Sequence, residues 1–397
     1  MNVIGMISGT SFDAIEAVAL ELRLRDRVAH AVLVEHVSVP YEEELRSRVA
    51  HVLPPHTTTI EEVCQLDTLV GQAFADVAAS LARRCFAGDV DVVCSHGQTV
   101  FHWVVDGHAR GTLQIGQGAW IAEATGATVV SDVRSRDVAA GGHGAPLASL
   151  VDVLLLGRRP DVVRGALNLG GIANVTVVGP ALEPLAFDIG PANALMDAAI
   201  TWVSDGARGF DEGGQSAARG VVDEALLEAL LDDPYYGAPA PKSTGKELFN
   251  LGYLRERIGR RNIEPDDLLA TLCELTARTV ADAVLERGVV ELFVSGGGTR
   301  NPTLMAAMSR HLEGNGIAVS LTDDVGVPEA AKEALLFALI GFLSVQGLAG
   351  SIASCTGAAH PSVLGSIIPG RQPVSSLAAT EAPDRLVVRS TRNGEAS

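Results

Sequence analysis

Aromatic residues supply only 4% of the 397-residue chain against 47% for hydrophobic residues as a whole. Its cores must therefore be built from Ala, Val, Leu and Ile, as in alternating strands and helices. Cysteine is sparse: Cys64, Cys85, Cys94, Cys273 and Cys355 form no C-x-x-C pair and total an odd number. That excludes a disulfide framework and points to reduced thiols in the cytoplasm. Cys94-x-His96 has a chelating spacing, but the other ligands of a tetrahedral site are missing nearby, so Cys94 reads as core.

Positive charge is also short, with 30 Lys plus Arg against 48 Asp plus Glu and a net charge of −18. A nucleic-acid surface or an anionic membrane is excluded as a partner. An anionic ligand would need local help from glycine turns, helix N-termini, a metal ion or a few placed cations. Long apolar runs are missing too. Residues 334–359 carry no charge, but only Leu335 to Val345 is densely apolar, which fits a buried helix and a loop rather than a span. The N-terminus lacks a basic segment followed by an apolar core, so no signal peptide is expected.

What the chain has in excess is glycine, 42 residues in all. Its length exceeds the roughly 250 to 300 residues at which single cores stop growing, so two lobes are expected. The most telling stretch is Ala166 to Asn193, where two apolar strands flank Gly170-Gly171 and Asp188 reads as an acid on a strand end before Gly190-Pro191. Glycines in such a turn accept positive φ and let a phosphate oxygen reach main-chain N–H groups. Taken alone, the pair reads as an ordinary hairpin.

The N-terminus repeats the device. Asn2 to Met6 is a strand, Ser8-Gly9-Thr10-Ser11 a small-residue turn, and Ile15 to Leu24 alternates with Val18, Leu20, Leu22 and Leu24 on one face. Two such hairpins imply two related α/β lobes facing each other, with a nucleotide's phosphates held by a turn from each side.

Further elements follow from periodicity. His30 to Val39 reads as a strand, and Glu42 to Leu53 and Ile60 to Phe86 read as helices. Asp91 to Cys94 is a short buried strand ending in the polar turn Ser95-His96-Gly97-Gln98-Thr99, the place where open α/β sheets put ligands. Strands at Thr112 to Ile115 and Thr128 to Val130 flank a helix from Trp120 to Thr125. The glycine-rich Ala139 to Pro146 is either an interdomain hinge and substrate wall, the favoured reading, or a loop before a helix from Leu147 to Leu156. A helix spans about Ala192 to Trp202, and another opens at Pro265 and closes at Gly288. Val289 to Val294 is a buried strand followed by Gly296-Gly297-Gly298-Thr299-Arg300-Asn301-Pro302, with a helix starting at Pro302. That order suits a nucleotide, though many α/β units share it. Leu386 to Val388 is a possible strand, and residues 390–397 read as a disordered tail.

Asp188 suits a kinase's base, taking the proton of an attacking hydroxyl or water. The Gly190-Pro191 step argues against its being a simple helix cap. Asp13 reads equally as a carboxylate holding Mg²⁺ through water or as an Asx-turn residue. Two of the three lysines, Lys242 and Lys246, fall within Pro241 to Lys246; a place near phosphate and a solvated loop remain alternatives. His96 and His102 fit hydrogen-bonded structural roles better than general bases. Arg134 and Asp137 suit a polar substrate, since arginine can grip a carboxylate.

Read in order, Gly5 to Asp13, Ser95 to Thr99, Arg134 to Asp137, Gly141 to Leu147, Asn168 to Asn174, Phe187 to Asn193, Pro241 to Gly245, Gly296 to Gly298 and Thr356 to Ala358 resemble the 1,6-anhydro-N-acetylmuramic acid kinases. That family lies within the sugar kinase, Hsp70 and actin superfamily, and the match covers nearly the whole chain. It implies an α/β, two-lobed, ribonuclease H-like duplicated fold with an interdomain ATP cleft. The lobes would be 1–135, completed by 356–389, and 136–355. The implied reaction is ATP-dependent opening of the anhydrosugar: Asp188 activates water against the anomeric carbon and O6 takes the γ-phosphate, giving N-acetylmuramic acid 6-phosphate in cell-wall recycling. ATP would be bound by Gly9, Thr10, Ser11, Phe12, Asp13, Ala14, Ile15, Glu16, Gly170, Gly171, Asn174, Gly296, Gly297, Gly298 and Asn301, with Mg²⁺ at Asp13. His96, Gln98, Thr99, Arg134, Asp137, Gly144 and Glu333 would contact the sugar.

The resemblance further implies a cytoplasmic homodimer whose partner is a small sugar, with no nucleic acid and no membrane. The chain departs from the family pattern where Ala14 replaces a glycine and Glu16 an aspartate. The alternatives are a kinase of another anhydrosugar such as levoglucosan, or an actin- or Hsp70-like ATPase.

Overall fold

In the computed structural model, which describes residues 1–9, 12–159, 161–180, 182–371 and 381–390, the chain divides into two compact units. One comprises Met1–Gly157 with Gly326–Ser397, the other Arg158–Val325. Thr10, Ser11 and the tail 391–397 lie outside the described residues.

The first unit is built on strands β1 (Asn2–Ser8), β2 (Ala14–Arg25), β3 (Val28–Pro40), β4 (Val92–Val105), β5 (His108–Ile115) and β6 (Thr128–Ser131). It also takes two late strands of the chain, which after the second unit's β7 to β11 are β12 (Ser366–Ile368) and β13 (Arg385–Ser390). The sheet order is β12-β6-β4-β1-β2-β3-β13, with β5 paired to β4. β1, β2 and β3 run antiparallel, while β4 is parallel to β1 and β6 parallel to β4.

Strand alternation decides what covers the two faces. Val18, Leu20 and Leu22 of β2 enter one core, and Ile15, Ala17 and Ala19 enter the other, because successive side chains point to opposite faces. The second face is covered by the helix Ile60–Phe86, which is opened by the Thr59 side chain accepting from Glu62 N–H and closed by Ala87 in the left-handed region. The first face is covered by Lys332–Val345, buried on nearly every side from Ala334 to Ser344, as expected of a helix apolar all round.

The second unit repeats this plan. Its strands β7 (Arg164–Leu169), β8 (Ile172–Val178), β9 (Leu185–Pro191), β10 (Glu291–Ser295) and β11 (Ala318–Leu321) lie in the order β11-β10-β7-β8-β9. Three antiparallel strands again come first, and β10 and β11 are parallel to the first of them. Both sheets thus carry the 3-2-1-4-5 order of the ribonuclease H-like fold, and its duplication is the two-lobed sugar kinase, Hsp70 and actin plan. Pro265–Glu286 opens on proline at its first turn and packs Leu268, Leu272, Leu275 and Val280 into this unit's core.

Three expectations need correction. The units exchange at 157/158 and 325/326, not at 135/136 and 355/356, because Leu147, Leu150, Val151 and Leu154 share a core with Val18 and Phe337. The polar stretch Ser95 to Thr99 is not a turn; β4 continues through it and folds back at Asp106-Gly107 against β5. Asp188 is not at a strand end but in the middle of β9. Among the described residues, no helix is long and apolar enough to cross a membrane.

Gly5 marks the closest approach of sheet and helix. A Cβ there would lie 2.1 Å from the Ala334 carbonyl oxygen and 2.3 Å from the Ala338 nitrogen. Gly5→Ala should therefore cost about 2 kcal/mol or more in a denaturant titration. Gly9→Ala, whose Cβ would meet nothing within 4 Å, should stay within about 0.5 kcal/mol of the parent. Equal midpoints for both variants would refute this packing.

Candidate active site

In the second unit, strand register lines up a polar row. Ser295 pairs with Asn168, Asn168 with Asn174, and Asn174 with Asp188. Directly paired residues share a face of the sheet, so an alcohol, two amides and an acid cross β10, β7, β8 and β9 on one side. Asn168, Asn174 and Asp188 are half-buried between fully buried neighbours.

The Gly170-Gly171 turn joins β7 to β8 at one end of this row. Neither glycine has a positive φ, so the expected left-handed backbone is absent. What the glycines supply is room: a Cβ on Gly171 would sit 3.4 Å from Lys246 Cε. The turn's carbonyls face the helix Asn193–Val203. Asn193 N–H donates to Gly170 O at 3.1 Å, and Ala192 and Ala194 N–H donate to Gly171 O at 2.9 and 3.0 Å. Asn193 Nδ2 adds a bond to Gly170 O at 2.8 Å. The hairpin thereby caps the helix, so capping is not the task of Asp188.

Gly296 to Gly298 follow β10 and stack on the end of β7. Gly296 has φ of +94°, and a Cβ there would lie 2.6 Å from Asn168 Oδ1. Only glycine suits that position. Gly297 is open, with nothing within 4 Å of its missing Cβ. Asn301 Oδ1 accepts from Leu304 N–H at 3.0 Å, capping the helix Pro302–Glu313, so that atom is not available to a nucleotide.

Asp188 is held asymmetrically. Its Oδ2 accepts from Ser243 Oγ at 2.9 Å and Thr244 N–H at 3.0 Å. Oδ1 has no hydrogen-bond partner among the described residues. Burial raises the carboxyl above its ordinary range, the Thr244 and Ser243 bonds pull it back, and Glu247 raises it again. Its main chain is pinned as well, with N–H donating to Lys242 O at 2.9 Å and O accepting from Tyr235 OH at 2.8 Å. Lys242 is a brace: its Nζ donates to the carbonyls of Tyr235 and Tyr236 at 2.8 and 2.9 Å and lies 4.6 Å from the Tyr235 ring centroid.

In the first unit, the hairpin between β1 and β2 is tied to β4. Ser8 Oγ donates to Gln98 Oε1, and Gln98 Nε2 donates to Gly9 O at 3.3 Å. Phe12 N–H donates to Gly9 O at 3.1 Å and Phe12 takes φ of +43°. Gln98 is fully buried, so it shapes the turn and presents no group to a ligand. Ile15 is a buried core residue. Asp13 accepts from Arg46 at 2.8 Å. Glu16, where an aspartate was expected, reaches from β2 to β3, to His36 Nε2 at 2.8 Å, and accepts from Ser38. Ala14 pairs with Pro40 at the first position of β2.

Arg134 donates from Nε to His96 Nε2 at 2.7 Å and from Nη1 to Gly144 O at 2.6 Å. His96 is buried, and its Nδ1 lies 3.0 Å from Gly97 O. The network requires a neutral ring with the proton on Nδ1. Burial, then the Arg134 charge, pushes its pKa down to about 3. His96 therefore orients Arg134 and is neither a base nor a free sugar contact. Thr99 Oγ1 accepts from Gln114 Nε2 at 3.2 Å. Glu333, in the first turn of Lys332–Val345, is solvent-accessible, yet the surrounding protein raises its pKa while Arg134 and Lys332 draw it back.

Asp137 changes role. It has no exposed surface, Oδ2 accepts from Gly144 N–H at 2.8 Å, and Oδ1 accepts from Thr356 Oγ1 at 2.8 Å. Its carboxylate is spent on fastening the glycine-rich loop, so it cannot meet a sugar without unfolding that loop. Arg46, Tyr235, Ser243, Thr244 and Thr356 complete the two sites. The signal for Ser243, Thr244 and Thr356 lay in the Pro241 to Gly245 and Thr356 to Ala358 segments, without an indication of what each would hold, whereas Arg46 and Tyr235 fall in no motif of the sequence. Asp137→Ala would leave two buried donors unpaired at about 1–3 kcal/mol each. Denaturant titration should show the loss, and limited proteolysis should open the loop at 138–144; an unchanged stability would refute the fastening role.

The family described as Anhydro-N-acetylmuramic acid kinase matches residues 1–370. A protein of that name from Streptomyces coelicolor is 57% identical over 94% of this chain and 95% of its own. One from Rhodococcus erythropolis is 53% identical over 93% and 94%, and one from Caldanaerobacter subterraneus is 37% identical over 92% and 96%. With a match that spans both units, the chain belongs to the anhydro-N-acetylmuramic acid kinases, a family of sugar kinases.

Proposed function

We propose that the protein hydrolytically opens 1,6-anhydro-N-acetylmuramic acid and phosphorylates O6 with ATP, releasing N-acetylmuramic acid 6-phosphate and ADP. The observation that carries this reading is the state of Asp188, with one oxygen anchored by Ser243 and Thr244 and the other without a hydrogen-bond partner among the described residues, in a chain of that family. Oδ1 takes a proton from water as the water oxygen bonds to the anomeric carbon. The bond from that carbon to O6 breaks, and O6 attacks the γ-phosphorus as ADP leaves. The proton on Asp188 then passes to solvent.

The Gly170-Gly171 turn suits the phosphates because its carbonyls are already committed to the helix Asn193–Val203, leaving main-chain N–H groups for anions. Gly297 leaves open space beside it. On the first unit, Gly9 offers a second bare backbone, and Arg134 with Glu333 supplies charged groups for the sugar. Magnesium would fit through water at Asp13, whose other oxygen is taken by Arg46. Among the described residues no cluster of three or more His, Cys, Asp or Glu could hold a metal ion, so bound phosphates would have to provide most of its ligands. Bound there, magnesium would supply charge neutralisation on the phosphates. We further propose a cytoplasmic enzyme, in keeping with five cysteines that form no disulfide, and, from the family resemblance, a homodimer.

ADP release should be stimulated by anhydro-N-acetylmuramic acid well above levoglucosan or ordinary hexoses, with a sugar 6-phosphate as product by mass spectrometry. Equal stimulation by levoglucosan would move the substrate assignment; none by any sugar would favour a plain ATPase. Asp188→Asn should lower kcat by about 10²–10⁴ while ATP still binds. Because burial raises this carboxyl, and the base works only when ionised, the acid limb of kcat/KM should lie above the ordinary aspartate range. Ser243→Ala removes a bond that favours the ionised form, so that limb should move to higher pH. A limb that stays in place would argue against Asp188 as the base.

A further inference from the structure

The geometry points to Lys246 as the cation that meets the terminal phosphate of a bound nucleoside triphosphate, an inference that rests on the kinase reading above. The loop from Pro241 to Lys246 links two chemical needs. At Ser243 and Thr244 it grips the carboxylate of Asp188. Two residues later, a span of at most about 7 Å of backbone, the Lys246 stem lies over Gly171. Base and cation thus come from one short segment, and a γ-phosphoryl group has to lie between an activated acceptor and a charge that stabilises it.

The other lysines are committed. Lys242 donates to two carbonyls, and Lys332 pairs with Asp152 at 2.6 Å. Lys246 is exposed, and among the described residues it makes no ion pair. It lines a cavity of about 350 Å³ with Asp197, Thr201, Trp202, Phe249 and Asn250. Asp197 lines the same cavity, where burial pushes its carboxyl up to about 6 against the pull of Lys246. In a chain with 27 arginines and three lysines, a compact ammonium on a flexible stem at the phosphate turn is the cation best able to leave its resting place and follow a transferring group.

Calorimetric titration of the wild type, Lys246→Ala, Lys246→Arg and Asp197→Asn with AMPPNP and with ADP tests this without any sugar. Lys246→Ala should weaken AMPPNP about tenfold or more, and ADP by less than about threefold. Lys246→Arg should restore most of the preference, and Asp197→Asn should retain it. Equal weakening of both nucleotides, no weakening of either, or the same loss in Asp197→Asn would overturn the assignment. If the wild type binds AMPPNP but phosphorylates no anhydrosugar, the proposed reaction fails while the Lys246 comparison still decides its own question.

Discussion

The hydrogen bonds between the helix Asn193–Val203 and the carbonyls of Gly170 and Gly171 are the constraint on which the second unit's site depends. A helix start needs acceptors for its free N–H groups, and the β7-β8 turn provides them. Both partners are fixed by one exchange: the helix gains a cap and the turn loses its freedom to rotate its peptides. The sheet then carries that fixed edge along the row Ser295, Asn168, Asn174 and Asp188. Without the committed carbonyls, the same glycines would form a loose hairpin with no defined place for an anion.

Much of this architecture was legible in the sequence because it follows from periodicity and end signals. The helix Ile60–Phe86 matches its expected limits, with a threonine cap before it and a left-handed residue after it. Pro265 and Pro302 mark helix starts. The repeated strand, small turn and strand also survive as β1-β2 and β7-β8. The least legible features were polar residues whose partners are remote in sequence. Ser95, His96 and Gln98 have the polarity of a turn, yet they lie buried in β4 because Ser8 and Arg134 satisfy two of them. Asp137 reads as a ligand for the same reason, although Thr356, 219 positions away, has claimed it.

The site divides in the same way. Asp188 could be chosen from sequence because an acid beside a glycine-proline step is poorly placed to cap a helix. Its two unequal oxygens depend on a loop 55 residues later, which no local pattern discloses. The substitution of Glu16 illustrates a further limit. Its extra methylene brings the carboxylate within reach of His36 and Ser38 on β3, so the acid is absorbed into the strand pair.

The second unit is contiguous, whereas the first is interrupted by it. During synthesis, Val3, Ile7, Val18 and Leu20 emerge early, but their covering helix Lys332–Val345 is made only after the whole second unit. One face of the first sheet therefore lacks its main cover, with only the short helix Ser149–Leu156 available to that core, while more than 170 residues are added. The inserted unit can close its own core in that interval, since domains generally fold as units as they are made. The nascent chain thus carries its finished half behind an unfinished one, and the apolar sheet face, rather than any catalytic residue, is where a chaperone would be needed.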